Sequence, residues 1–596
     1  MIKNFFRISI LSFAVLASMP SCNDDFLERT PIVNISDGNY WNSANDLRMY
    51  VNNFYNNTSL LPNYSGWGTI GPYGLDADYG SDTQIFIEYD NSMNGEGTVP
   101  ASGGGWSASD WLLVRRINYF LENYSRVDED WNVVKQYVGE AYFFRSLFYY
   151  NKLRTFGDLP WISNVLNEKS EILYEGRLSR DIVVDSIMVD MNKAVEYLPK
   201  RGTYTGRLTK ETAMLLQARI ALYEGTWEKY HALKNTPFKV DGSDGSKFIK
   251  IAAEVTDELM ALAESEGTTS LVDGTNGGYN ALFGQRDYST NKEVLFWRKY
   301  SETDNLTTHW GGYYYGHGRG MTKSLVDSYL CLDGKPISVS DLYQGDKTLK
   351  DVVANRDPRL SQTIFVDDGK HLFFEDDMSY FKTPAFEGNS TNSCPTGYQL
   401  YKGFNHNYIE CINSRNLIST IYFRYAEALL INAEAKTELG IITQTDIDKT
   451  INALRKRVGM NNGLLKINEI TTDPNWEFKS ISPLLNEIRR ERKVELACEG
   501  FRVDDIYRWA AADELIVGKK PKGAYKNQWK DYPGASTAFI EAWTILSEDE
   551  DGYIDPYAKF PAMDNGYQFN VNRDYLSPIS TEELTLNPAL KQNPGW

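Results

Sequence analysis

Apolar residues recur along much of this chain at the three- and four-residue spacing of an amphipathic helix. The pattern predicts helices over residues 45–56, 111–124, 131–155, 181–198, 209–225 and 248–264. The third is dense in aromatics, and Gly157 follows it as a stop. Asp181 reads as an N-cap, and Pro199 stands behind the helix it opens. From Gly267 to about Phe423 the periodicity gives way to Gly, Tyr and short β-like runs such as residues 293–300. Helices return at 421–439, where Tyr422, Ala426, Leu429 and Ala433 share a face and Gly440 takes the C′ position. Residues 446–458, 483–498 and 502–513 complete the helical set, and loops dominate from Ile516 onward.

Helix pairs starting near Trp111, Asp181 and Ile421 suggest a tetratricopeptide-like stack, in which a repeat spans roughly 30 to 40 residues. The fold class expected is mainly α: helix pairs forming a scaffold, with a loop-rich half containing short β-hairpins. In such a stack the helices are support and the loops carry function. No linker rich in Pro, Ser or charge divides the chain. The expected organisation is a leader at 1–21 and one body at 22–596. That body has an N-terminal helical part (22–265), a loop-rich insertion (266–420) and a C-terminal helical part (421–596).

The leader reading rests on Lys3 and Arg7 followed by an apolar run from Ile8 to Met19, broken only by three serines. This run is shorter than the ~20 residues a membrane-spanning helix needs and fits a signal-peptide h-region. Ser21-Cys22 then resembles the lipobox of bacterial lipoproteins, although Met19 and Pro20 depart from its usual residues. That likeness implies a lipid on Cys22, and Asp24-Asp25 resembles a surface-export signal.

Net charge across the 596 residues is −18, which argues against a nucleic-acid partner. Besides Cys22 there are Cys331, Cys394, Cys411 and Cys498, without the spacing of a zinc site. Cys394 and Cys411 are open to pairing or to burial as free thiols. Aromatics make up 13% of the chain, more than a core obviously needs.

The surplus directs attention to two loops. His309-Trp310-Gly-Gly-Tyr313-Tyr314-Tyr315-Gly-His317-Gly-Arg319 has neither helical nor strand period. Its rings can stack on the C–H face of a sugar, or the stretch can be a packed core loop. Residues 64–106 hold Trp67, Tyr73, Asp76, Asp78, Tyr79 and Trp106 among many Gly, Asp and Ser, with an ordinary surface loop as the alternative. Tyr279, in a Gly-Gly-Tyr-Asn run, is a further candidate.

Glu487, Glu491, Glu495 and Glu499 at i, i+4 spacing invite a hydrolase reading. Arg489, Arg490, Arg492 and Lys493 interleave with them, which is the pattern of ion pairs on and between helices. No catalytic motif accompanies them, so no enzyme is expected. The five His read as isolated surface or loop residues. No cofactor is expected. Calcium is the only metal considered: Asp549, Asp551 and Gly552 match EF-hand positions, but Ala558 replaces the closing Glu and Pro556 intrudes. Asp76, Asp78 and Asp82 also alternate, with Gly80 at a ligand position.

Several stretches together are similar to the SusD/RagB family of outer-membrane nutrient-binding lipoproteins. They are Cys22-Asn-Asp-Asp-Phe-Leu-Glu-Arg-Thr-Pro31, residues 115–122 and Gly139-Glu-Ala-Tyr-Phe-Phe-Arg-Ser-Leu-Phe-Tyr-Tyr150 closing with Phe156-Gly-Asp-Leu-Pro160. Residues 424–435, 451–460, 491–502, 508–509 and 587–596 continue the likeness. Cys498 stands where the family more often has Phe. The resemblance implies tetratricopeptide-type helix pairs beneath a loop-rich binding half. It implies a lipid-anchored protein of the outer-membrane surface that binds oligosaccharide or polysaccharide and hands it to a SusC-like TonB-dependent transporter. A peptide-binding member of the same family is the alternative; a secreted glycoside hydrolase is a third, weaker reading.

Overall fold

The computed structural model describes residues 40–62, 78–202, 205–308, 318–387, 393–412 and 415–596. Cys22 and the leader lie outside these residues. Helices of seven or more residues are α1 (Ala44–Tyr55), α2 (Ala108–Asn123), α3 (Trp131–Phe156), α4 (Arg180–Tyr197), α5 (Lys210–Leu233) and α6 (Ser246–Glu266). Past the loop-rich middle come α7 (Tyr425–Glu438), α8 (Ile451–Arg457), α9 (Pro483–Glu495), α10 (Arg502–Arg508) and α11 (Thr537–Ile545). The strands are β1 (Gln84–Phe86), β2 (Val294–Arg298), β3 (Arg319–Met321), β4 (Leu372–Phe374), β5 (Ser379–Tyr380) and β6 (Thr420–Arg424). They form three two-stranded antiparallel ribbons, β1–β3, β2–β6 and β4–β5. The fold is mainly helical, as the periodicity predicted.

Helices start where short polar side chains satisfy their free N–H groups. Ser43 with Asp46 and Ser107 with Asp110 form capping boxes on α1 and α2. Asp130 caps α3 by accepting from the N–H of Asn132. Asp181, expected as the cap of α4, instead lies in its first turn, and Ser179 takes the cap position. Each long helix then packs on the next: α3 on α4, α4 on α5, α5 on α6, α6 on α7, and α7 on α9. The expected helix pairs are thus links of one continuous stack.

Four boundaries differ from the sequence reading. Residues 420–424 form strand β6, not the first turn of a helix, because Ile421, Tyr422 and Phe423 are β-favouring and β2 offers them a partner. The helix expected at 446–458 breaks at Thr450 into two. That at 502–513 breaks at Ala510, which has φ +48°. Helix α5 runs eight residues past Gly225, which is no stop but a contact point. A Cβ there would lie 2.6 Å from Ile249 and 2.8 Å from the carbonyl of Gly245, so only glycine lets α5 meet the start of α6 this closely.

At successive interfaces a buried arginine sits on a buried carboxylate. Arg145 grips Asp190 between α3 and α4 at 2.6 and 2.8 Å, and Arg180 grips Glu224 between α4 and α5 at 2.8 Å. Arg219 joins α5 to Glu427 of α7 at 2.6 and 2.7 Å. Arg508 of α10 holds Glu434 of α7 at 2.6 and 2.8 Å, and Arg492 of α9 holds Asp505 of α10 at 2.8 Å. These forked contacts add geometry to apolar packing, which has no direction of its own.

The largest cluster surrounds the carboxylates of α9. Glu495 is fully buried and meets Arg457 at 2.5 Å, Arg424 at 2.7 Å and Arg359 at 2.9 Å. Arg424 also holds Glu293 at 3.1 Å and Glu499 at 2.6 Å, while Glu491 meets Arg359 at 2.7 Å and Arg455 at 2.8 Å. The interleaved charges of 487–499 are therefore ion pairs between elements, as their spacing suggested. Burial alone would raise the pKa of Glu495, but Arg457, Arg424 and Arg359 overcome it and hold the group well below the usual carboxylate range. One apolar core runs through the helices, and a second fills the loop-rich half around Phe365, Tyr398 and Trp529.

Two buried titratable groups in α5 depart from the expectation that polar side chains face water. His231 is no surface residue: it stacks on Trp227 at 4.0 Å, its Nε2 lies 3.0 Å from the Tyr507 carbonyl, and burial lowers its pKa to about 3. Glu228 is pushed up to about 8, first by burial and then by the neighbouring Glu224.

Two predictions follow from these groups. Replacing Glu495 by Gln removes the carboxylate that Arg359, Arg424 and Arg457 share and leaves each with its remaining acidic partners; breaking a buried ion pair costs about 3–5 kcal/mol. Urea denaturation should show that loss, and near-native stability would mean the cluster does not hold the fold. Glu228 stays protonated in the folded chain up to about pH 8, while the unfolded chain ionises near 4.5. Stability from this group is therefore present below pH 4.5 and is lost as pH rises to about 8. Glu228→Gln should match the parent at low pH and melt several degrees higher at pH 9, as read by thermal scans at both.

Candidate ligand-binding site

Two aromatic-rich segments were singled out from sequence. Trp67, Tyr73 and Asp76 of the first, and Trp310, Tyr313, Tyr314 and Tyr315 of the second, lie outside the described residues. The chain on either side of both segments is described, and their flanks meet from positions more than 200 residues apart in sequence.

The segments leave the frame at the same ribbon. Before the first, Tyr422 of β6 donates its hydroxyl to the Pro62 carbonyl at 2.6 Å. Arg298, the last residue of β2, donates to the carbonyls of Tyr55 and Leu61 at 3.0 and 3.2 Å. Before the second, the N–H of Thr308 donates to the carbonyl of Asn416 at 2.9 Å, just ahead of β6. Tyr300, just past β2, faces Thr420 across this ribbon at 3.3 Å.

They return at another shared ribbon. Tyr79 and Gly318 are the re-entry points, and β1 pairs with β3 in the register Gln84 to Met321 and Phe86 to Arg319. Phe86 is the meeting point. The Tyr79 ring packs edge-on against it at 6.0 Å, and the Arg319 guanidinium lies over its face at 5.4 Å. Gly318 has φ +75°, and a Cβ there would fall 2.4 Å from the Phe86 ring, so glycine is needed on both counts. Burial lowers the pKa of Arg319 to about 10. From the C-terminal part, Tyr557 donates to the carbonyls of Phe86 and Glu88 at 2.9 and 3.2 Å.

Asp78 pins the first return. Its carboxylate accepts from the N–H groups of Cys498 at 2.6 Å, Gly500 at 3.1 Å and Arg502 at 3.2 Å. Burial raises its pKa to about 6 against the pull of the Arg502 and Cys498 N–H groups. Asp82 sits on Arg502 at 2.6 Å and Lys493 at 3.0 Å. Both carboxylates are thus engaged within the protein. At the second acidic loop Asp549 is met by Lys522 at 2.5 Å and by the N–H groups of Asp551 and Tyr553 at 3.0 Å each, so a lysine occupies the place a cation would take.

Two candidates are corrected. Trp106 is core: it is 4% exposed and packs edge-on against Phe156 at 4.9 Å and Trp111 at 5.4 Å. Tyr279 is fully buried, donates its hydroxyl to the Glu495 carbonyl at 2.7 Å, and lies under the Arg457 and Lys402 cations at 5.1 and 4.9 Å. Glycine-rich surroundings marked both as loop residues, but a large amphipathic ring with an acceptor in reach is as well suited to a core. Cys394 and Cys411 are not paired: both are buried free thiols, as are Cys331 and Cys498. The sequence reading missed Phe86 and Tyr557 and gave Arg319 no role beyond closing the second segment, because a three-residue ribbon leaves no period to detect.

The family model for the SusD family matches residues 280–596, and a second, described as starch-binding and associating with the outer membrane, matches residues 105–222. The chain is 24% identical to SusD-like protein P2 of Formosa agariphila over 99% of its own length and 100% of that relative. It superposes on a SusD-like carbohydrate binding protein of Bacteroides fragilis with a TM-score of 0.69 at 22% identity, covering 93% of this chain and 100% of that one. A SusD homolog of Bacteroides thetaiotaomicron gives a TM-score of 0.58 at 18% identity, over 94% and 99% of the two chains.

The anchoring of the return strand can be tested directly. Asp78→Ala leaves three buried N–H groups without an acceptor, each worth about 1–3 kcal/mol. Amide exchange at residues 498–502 should accelerate and the urea midpoint should fall; unchanged exchange there would show that the carboxylate holds nothing.

Proposed function

The chain belongs to the SusD family, and on that footing we propose that it binds oligosaccharide or polysaccharide at the outer-membrane surface. In this reading a lipid on Cys22 holds it there, and a SusC-like TonB-dependent transporter receives the ligand. The observation that carries the glycan reading is the convergence of the two aromatic segments. The described chain that flanks them meets at β2–β6 and again at β1–β3 around Phe86; in this reading Trp67, Tyr73, Trp310 and Tyr313 to Tyr315 serve one ligand. Stacking rings with a few polar groups suit a pyranose, whose C–H face is apolar and whose rim is hydroxyl. The binding role matches that of the Bacteroides fragilis neighbour, a SusD-like carbohydrate binding protein, and the description of the outer-membrane-associating family supports the membrane association. The acidic series of α9, on which a hydrolase would draw, is committed to arginines and to Lys402.

Calorimetry on the chain lacking the leader and Cys22, titrated with soluble polysaccharides and with peptides, tests this reading. Removing one well-placed stacking ring by Trp310→Ala should weaken saccharide binding by about 1–3 kcal/mol, tenfold or more. Saccharide binding that ignores this substitution would move the site toward Trp67 and Tyr73. Binding to peptides alone would overturn the glycan reading.

A further inference from the structure

A cleft of about 630 Å³ lies beyond the far end of the β1–β3 ribbon, bordered by Ser81, Asp82, Thr322 and Lys323 on one side and by residues 475–479 and 513–522 on the others. Through Ser324, Asp327, Asn475 and Glu477 it continues into a second hollow of about 310 Å³. Its acidic lining is neutralised within the protein. Asp82 is held by Arg502 at 2.6 Å and Glu477 by Arg502 at 3.1 Å. Asp327 is held by Lys323 at 3.0 Å, and Asp513 and Glu514 by Lys234 at 2.6 and 3.0 Å. Lys522 is engaged by Asp549 at 2.5 Å.

Lys479, Lys519 and Lys520 remain. They line the same cleft, are exposed, and have no carboxylate within ion-pairing distance among the described residues. Trp476 lies beside them, half-buried, with no acceptor for its ring N–H among the described residues. Three ammonium groups without a paired carboxylate, gathered in one concavity, are placed to attract an anion even on a chain of net charge −18. Such groups favour an anion, and the half-buried indole that lines the cleft beside them suits the apolar face of a sugar ring.

We propose that this cleft binds the carboxylate or sulfate groups of an acidic saccharide, with Lys479, Lys519 and Lys520 meeting the anions and Trp476 meeting a ring. The inference rests on the saccharide-binding reading above and adds the charge class of the ligand. Thr83 and Thr322 close the cleft end of the ribbon at 3.0 Å, and Phe86 and Arg319 mark its other end. At ~3.3 Å per residue the ribbon is roughly 10 Å long, so the cleft lies close to the flanks of the aromatic segments.

The test compares the parent with the triple variant Lys479→Gln, Lys519→Gln, Lys520→Gln, and with Trp310→Ala. The probes are oligogalacturonate, a sulfated galactan oligosaccharide and neutral oligosaccharides. The substituted lysines are exposed, so circular dichroism and melting should be unchanged. The triple variant should bind at least one acidic probe about tenfold more weakly while binding of neutral probes stays the same. Raising NaCl should weaken the parent in the same way, since about 0.1 M salt already screens exposed charges beyond ~10 Å. The acidic probe that responds identifies carboxylate or sulfate as the anion. If neither acidic probe binds, or if binding ignores the lysines, the proposal is overturned. Should neutral binding persist and fall with Trp310→Ala, only the cleft inference is lost; should the parent bind no saccharide at all, the functional reading falls with it.

Discussion

Guanidinium groups seated on carboxylates inside the protein are the constraint on which the rest of this structure depends. Apolar packing alone would let two helices slide by a turn at little cost, because it is proportional to area and has no direction. A buried arginine has no such latitude. Its fork must meet two oxygens, and a shift of one turn would leave both charges dry and unpaired, at a cost of several kcal/mol. Arg145 with Asp190, Arg180 with Glu224, Arg219 with Glu427 and Arg508 with Glu434 each fix one interface in this way. The stack is thereby given a single register.

The cluster on α9 extends that register into the loop-rich half. Glu495 gathers Arg359 from the insertion, Arg424 from the end of β6 and Arg457 from α8, and Arg424 and Arg457 share Glu293 at the start of β2. The β2–β6 ribbon is therefore bolted to the helical scaffold through its charged ends. Ribbons of three to five residues are too short to stand alone in water. Here they persist because side chains from distant parts of the chain hold their backbones: Tyr557 on β1, Asp78 on the turn before α10, and Arg298 and Tyr422 on the chain preceding residue 63.

Much of this was legible in the sequence, and the limits have physical causes. Helices α1 to α4 and α6 were found to within a few residues because apolar positions leave a 3.6-residue period, whereas α5 runs eight residues past its expected end. Helix α3 was still found, despite apolar residues all round its middle, because a cap and a glycine mark its ends. Gly225 was misread as a stop because a glycine that ends a helix and one that admits a neighbouring backbone look alike in sequence; only the position of Gly245 separates them. The alternating acids and bases of 487–499 were read as ion pairs, since like spacing of opposite charges has few other uses. Their partners on β2, β6, α8 and the insertion could not be read, because they are distant in sequence.

What the sequence determined by itself is the helical scaffold, its charge logic and the chemical character of two aromatic segments, all of which follow from local spacing and residue type. The tertiary structure alone decided that those segments share both their points of departure and their points of return, and that Trp106 and Tyr279 are core. It alone decided that Lys479, Lys519 and Lys520 face one cleft with their acidic neighbours already engaged. The reason is the same in each case. A ring or an ammonium group has the same composition whether it faces solvent, a ligand or a buried carbonyl, and which it faces is set by residues hundreds of positions away that close around it.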